Sequence, residues 1–314
     1  MPSPVVQKAL PVIALDGADL PAVAAAIRDA CTGPGFFYLS GHGVAPGVIA
    51  AAVEAARRFF HLPAEVKVLT RANLLHRGWH AAGGAVMEGA TKPDLKEFYS
   101  MGLDLPADHA AVLAGEKLRG PNQWPEQVPE LRPAMEAYYA AMMVLGARLL
   151  RAVAAGLDLA PDFFVPHYRL PLQRTQAIFY PPQPPDDAEG FGVAPHTDFG
   201  CITLLWQDDT GGLEVRDRSS GAWVSAPPLP GTLVVNVGDL LGRWSNDRSA
   251  STPHRVVNRS GHERMSIATF HDPDFSAVID PRALGAIEPR YEPTTAGAHI
   301  LGRFAQAFAY RKGA

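Results

Sequence analysis

Along the first half of the chain the apolar residues repeat at helical steps. Between 21 and 60 two Ala-rich stretches flank "GFFYLSG" (35–41), an apolar run bounded by glycines, which predicts helix, strand, helix. From 133 to 156 the residues Met135, Tyr139, Met142, Leu145, Leu149 and Val153 recur every three or four positions, with a proline near the start and a glycine at the end. That is the pattern of a core helix. The most apolar long segment, 137–157, carries Arg148 and Arg151 and so reads as a buried helix rather than a membrane span. Residues 74–106 keep neither period and contain Gly83, Gly84, Gly89 and Pro93; they predict a loop, with 76–106 a candidate lid.

After Pro171 the period changes. Short β-rich runs, "TQAIFY", "CITLLW", "LEVRD", "AWVSA", "TLVVNV", "HRVVN" and "MSIATF", are separated by Pro, Gly, Asn and Asp, which predicts an antiparallel sandwich or barrel. "RDRSSGAW" reads as a hairpin turn and Gly211–Gly212 as a tight turn rather than a phosphate loop. The expected organisation is a mostly helical lobe over 1–170 packed on a β core over 171–314.

Composition narrows the function. The 314 residues are 47% hydrophobic, enough for a sizeable core. The 28 basic and 32 acidic residues give a formal charge of −4 without a basic block, so nucleic acid and membrane surfaces are not expected partners and a small molecule is. Two cysteines, Cys31 and Cys201, are too few for a disulfide framework. With no signal-peptide pattern at the N-terminus, a reducing cytoplasm is the expected compartment. Oligomeric state is left open.

Within the strands, "HTDFG" stands out because His196 and Asp198 occupy positions that a core would fill with Val or Ile. On a strand, residues i and i+2 project to one face, so both side chains can reach the same point. A core histidine bonded to an aspartate has the same pattern. His254 in "STPHRVV" adds a third group, and two histidines with one carboxylate form the set that holds ferrous iron on one face and leaves adjacent positions open. Zinc can use the same ligands, although its structural sites prefer four. Arg264 and Ser266 in "RMSIATF" are again i and i+2; an interior guanidinium needs an anion, and its planar fork suits a carboxylate. For Arg-X-Ser by itself, a surface ion pair explains the residues as well.

In order and spacing, "FYPP" (179–182), "HTDFG" (196–200), "LLWQDDTGGLEV" (204–215), "LVVNVGDLLGRWSND" (233–247), "STPHRVV" (251–257) and "RMSIATF" (264–270) resemble the 2-oxoglutarate and iron(II)-dependent dioxygenases of the isopenicillin N synthase-like branch. "LPVIALDG" and "CTGPGFFYLSGHGV" extend the resemblance over nearly the whole chain. It implies an α+β fold: a double-stranded β-helix (jelly-roll) core with flanking N-terminal helices and a C-terminal helix. It also implies that His196, Asp198 and His254 ligate Fe(II), that Arg264 and Ser266 hold the distal carboxylate of 2-oxoglutarate, and that Tyr180 hydrogen-bonds the same cosubstrate. O2 would be consumed, 2-oxoglutarate would be decarboxylated to succinate and CO2, and a small molecule would be oxidised, usually hydroxylated.

Many relatives carry arginine and asparagine where this chain has Gln176 and Ile178. Phe98, Tyr99, Phe179 and Phe270 are the candidate substrate contacts, with Leu301 or Phe304 on the C-terminal helix and, less strongly, His271. Two other functions share most of these residues: an oxidase of the isopenicillin N synthase type that needs no 2-oxoglutarate, and a catalytically silent metal-binding sandwich that senses a ligand.

Overall fold

Two sheets form the core of the protein in a computed structural model that describes residues 5–6, 8–17, 19–84, 93–183 and 190–308. The larger contains β2 (Val12–Ala14), β3 (Phe36–Ser40), β4 (Gly78–His80), β5 (Glu97–Gly102), β6 (Arg174–Tyr180), β8 (Ile202–Gln207), β11 (Leu233–Val237) and β13 (Arg264–His271), in the order β2-β3-β11-β8-β13-β6-β5-β4. The smaller contains β1 (Val5–Val6), β7 (Val193–His196), β9 (Leu213–Arg216), β10 (Trp223–Ser225) and β12 (His254–Val256), in the order β1-β10-β9-β12-β7.

Both faces of the eight-stranded sheet are covered. Its outer face, including Phe37, Leu39, Tyr99, Phe179, Leu204, Val235, Met265 and Ile267, joins one core cluster with the helices α1 (Leu20–Thr32), α2 (Pro46–Phe60) and α3 (Leu131–Gly156). The alternate residues, Phe36, Tyr38, Phe98, Ile178, Tyr180, Val234 and Ala268, cluster with Val193, Leu213, Val215 and Val256 of the other sheet. Period-2 alternation therefore sorts these strands of the larger sheet into a helix-facing set and a set enclosed between sheets. The apolar helix near the chain's middle is α3, buried against α1 and α2 as its stripe predicts.

Two expectations change. The strands β2 to β5 come from the N-terminal segment, so the division placed at 170/171 runs through a sheet and not between a helical lobe and a β core. Residues 74–106, expected to be loop, contain β4 and β5; the latter pairs with β6 from Glu97↔Phe179 to Gly102↔Arg174. "EFYSMG" has no clear alternation because both its faces are buried. The lid expectation falls partly on 85–92, which lie outside the described residues.

Candidate iron and cosubstrate site

Strand pairing assembles the first cluster. His196 ends β7, His254 begins β12, and the two are direct cross-strand neighbours, with ring centroids 4.2 Å apart. Asp198 follows two residues after His196, and its Oδ1 lies 3.9 Å from Nε2 of His196 and 3.8 Å from Nε2 of His254. One ligand atom from each lies within 4.8 Å of the others, so the three can hold a metal ion.

The surroundings aim these atoms. Asp198 Oδ2 accepts from Thr203 Oγ1 at 2.5 Å and from Asn236 Nδ2 at 2.7 Å, which turns Oδ1 toward the imidazoles. Nδ1 of His196 meets the Ala194 carbonyl at 2.8 Å, and Nδ1 of His254 meets that of Thr252 at 3.3 Å. A carbonyl on Nδ1 fixes the proton there and leaves Nε2 as the lone-pair nitrogen, the state a metal needs. Burial, reinforced by the neighbouring His254, pushes the His196 pKa down, so the ring is neutral. Burial alone would raise the Asp198 pKa, but the imidazoles and two hydrogen bonds outweigh it and hold the carboxyl below its usual range.

The second cluster lies on β13 and β6. Arg264 is fully buried; Nε donates to the Gly211 carbonyl at 2.5 Å and Nη2 to Gln207 Oε1 at 3.0 Å. Gly212 (φ +89°) permits this turn, since a Cβ there would sit 2.6 Å from the Val257 carbonyl. Tyr180, the cross-strand neighbour of Arg264, places its ring centroid 4.6 Å from the guanidinium. Nη1 of Arg264 and Oγ of Ser266 are buried and have no hydrogen-bond partner among the described residues. Two orphaned donors side by side in an interior mark the place of an anionic ligand, because leaving them unmet costs about 1–3 kcal/mol each. Tyr180, Arg264, Ser266 and the three metal-competent residues line one small cavity.

A second cavity adjoins it at His196 and Asp198, lined by Phe98, Phe270, Phe304 and Phe308 with Arg174, Gln176 and His76. Of the aromatic candidates, Phe98 and Phe270 therefore face the site. Tyr99 and Phe179 do not: each is one residue out of phase and lies on the outer face, where Tyr99 packs on Phe59 and Trp124 and donates to the Gln123 carbonyl, and Phe179 stacks on Phe60 at 5.5 Å. His271 is likewise outside the cavity, stacked on Tyr168 with Nδ1 2.5 Å from Gln173 Oε1. Leu301 packs with the inner cluster, whereas Phe304 on α4 (Ala296–Ala307, the C-terminal helix) reaches the cavity wall.

Gln176, already marked by its departure from the relatives' arginine, lies in this cavity with His76 and Arg174, which were not legible in advance. Gln176 Nε2 stands 3.2 Å from His76 Nε2, and Arg174 donates to Asp272 Oδ2 at 2.9 Å beneath the rings of Phe270 and Phe304. Lys96 lines both cavities. Its signal was the i, i+2 spacing of Asp94, Lys96 and Phe98, which carries meaning only once "KEFYSMG" is known to be strand.

Comparison with known proteins agrees with this geometry. The profile described as the 2OG-Fe(II) oxygenase superfamily matches residues 167–273, and that of the N-terminal region of non-haem dioxygenases in morphine synthesis matches 10–127. A 2-oxoglutarate-Fe(II) type oxidoreductase of Emericella nidulans is 38% identical across 96% of this chain and 90% of its own. The chain belongs to the 2OG-Fe(II) oxygenase superfamily. A member from Caulobacter crescentus superposes with a TM-score of 0.85 at 32% identity, covering 96% of this chain and all of that one. A full-length Neurospora crassa protein, solved in complex with alpha-KG and thymine, gives 0.83 at 28% identity over 95% of this chain and 96% of that one. The protein is accordingly a jelly-roll Fe(II)- and 2-oxoglutarate-dependent dioxygenase that uses O2 to oxidise a small molecule. Neither a 2-oxoglutarate-independent oxidase nor a silent binder is required.

Proposed function

We propose that His196 Nε2, Asp198 Oδ1 and His254 Nε2 ligate the iron, that Arg264 and Ser266 hold the distal carboxylate of 2-oxoglutarate while Tyr180 hydrogen-bonds the same cosubstrate, and that the usual outcome is hydroxylation. One observation carries this reading: three convergent ligand atoms share a cavity with two buried, unpartnered donors of the type and spacing a carboxylate needs. Bound iron supplies dioxygen activation coupled to decarboxylation of 2-oxoglutarate. The chain's own residues do the rest. Thr203 and Asn236 hold Asp198 ionised and aimed; Ala194 and Thr252 hold the histidines in the tautomer that leaves Nε2 open; Arg264 offers a planar fork to the distal carboxylate. The phenylalanines on the far side exclude water from the oxidising centre. Both thiols, Cys31 and Cys201, are buried and unpaired, which supports the cytoplasm as the compartment; fractionation of cells expressing the tagged chain tests this.

The test of function is an anaerobic titration of the apo-protein with Fe(II) and then 2-oxoglutarate, followed by air. A weak visible charge-transfer band and succinate formed even without substrate are expected. Bound iron with no band on adding 2-oxoglutarate would overturn the assignment of the clamp.

A further inference from the structure

Lys96 sits one residue before β5, on the sheet face shared by Phe98, and borders both the cosubstrate cavity and the aromatic one. It is about nine-tenths buried. An ammonium has three hydrogens to place, and burying it is costly unless acceptors meet them. Its ion-pair partner, Asp94, lies 3.4 Å from Nζ, well beyond the roughly 2.7–2.9 Å of a charged hydrogen bond. Oδ1 of Asp94 accepts the Ala194 amide at 3.0 Å, while Oδ2, the atom facing Nζ, makes no hydrogen bond among the described residues. The neighbouring Phe98 ring, 5.7 Å from Nζ, stabilises the charge through its face but accepts no ordinary hydrogen bond. Asp94 thus tethers Lys96 to β7, two residues before His196, and leaves its hydrogens unsaturated.

We propose that Lys96 selects the substrate, by donating to the carboxylate of a small acid whose apolar body lies against Phe98, Phe270 and Phe304. The inference rests on the assignment of iron and cosubstrate given above. That assignment already provides for both ends of 2-oxoglutarate, the distal carboxylate at Arg264 and the other end at the metal, so the charge of Lys96 is left for a second ligand. The three phenylalanines on the cavity wall favour an apolar body on that acid. The cavity is about 60 Å³, less than a ring needs by itself, so the body of the acid extends outward from it. Beyond His196, Thr197 and Phe199 it meets an outer vestibule of about 320 Å³ that includes Arg216 and Arg303, the latter 3.3 Å from Asp239; the charge of Arg216 favours the arrival of an anion.

Wild type, Lys96→Met and Lys96→Arg, each loaded anaerobically with Fe(II) and 2-oxoglutarate, would be titrated with benzoate and with its neutral analogue benzamide, following the visible band. The expected result is an unchanged requirement for 2-oxoglutarate in all three proteins, benzoate binding at least tenfold weaker in Lys96→Met and partly restored in Lys96→Arg, and benzamide binding alike throughout. In the wild type alone, benzoate should bind at least tenfold more tightly than benzamide, a comparison that needs no variant to fold. Equal binding of the two by wild type, or equal benzoate binding by wild type and Lys96→Met, overturns the proposal. A raised 2-oxoglutarate requirement in Lys96→Met also overturns it, by giving Lys96 to the cosubstrate. Absence of any band in iron-loaded wild type would instead fail the underlying assignment, and the proposal with it.

Discussion

On β13, Met265 and Ile267 pack against the helices, while their immediate neighbours Arg264 and Ser266 face the space between the sheets with donor atoms that no described protein group meets. The same contrast runs along β8, where Leu204 is in the helix-facing core and Thr203 bonds Asp198, and along β11, with Val235 outside and Asn236 inside. The outer face holds its strands by apolar burial, at about 1.5–3 kcal/mol for each fully buried large side chain. The inner face gives up part of that gain to keep polar atoms ready for ligands. Stability and chemistry are thus separated by one residue of register along a single strand.

Substitutions on the two faces should therefore fail differently. The largest effect is expected from Asp198→Ala, which should abolish iron binding and turnover while circular dichroism and the unfolding midpoint remain close to wild type; full activity would remove the residue from the metal site. Ile267→Ala, on the outer face, should cost about 2–5 kcal/mol of stability in urea unfolding, whereas Ser266→Ala beside it, which removes an unmet buried hydroxyl, should not lower the stability of the ligand-free protein and should raise it by up to about 1–3 kcal/mol, while weakening 2-oxoglutarate binding. If the two neighbours behaved alike, the division of faces would be wrong. Arg264→Lys keeps the charge but loses the fork, and its affinity for 2-oxoglutarate, measured by the anaerobic titration, should fall by about 1.5–3 kcal/mol.

The smallest effect is a matter of pH. Burial lowers the pKa of His271 to about 3 from an ordinary 6.5. The folded protein therefore keeps this ring neutral where the unfolded chain protonates it, so stability is full above about pH 6.5 and falls as pH drops toward 3, by about 1.4 kcal/mol per unit in that window. In His271→Gln the urea midpoint should decline less steeply between about pH 6.5 and 5; an identical slope would show that other groups govern the acid limb.

Much of this was legible in the chain. The helical stripe of 133–156, the short strands after Pro171 and the ordered motifs around His196, Asp198, His254, Arg264 and Ser266 are local patterns. A period of two or of three to four is enough to say which side of an element a residue occupies relative to its neighbours. Periodicity gives parity, however, and not which parity meets the site. Tyr99 and Phe179 had the right chemistry beside the right motifs and lie on the outer face, because only the pairing of β5 with β6 settles which residues of "KEFYSMG" and "FYPP" point inward.

The sequence by itself determined the groups competent to bind metal and carboxylate, which rest on residue type and short-range spacing, and, through the resemblance of its ordered motifs, the family and the fold class. Tertiary structure alone decided that β2 to β5 complete the eight-stranded sheet, that His76 meets Gln176, and that Lys96 and Arg174 border the aromatic cavity. His76 and Gln176 are 100 residues apart in the chain, and no local period records which distant strand will lie alongside; that is fixed by ladder register and by the burial of both faces of one sheet.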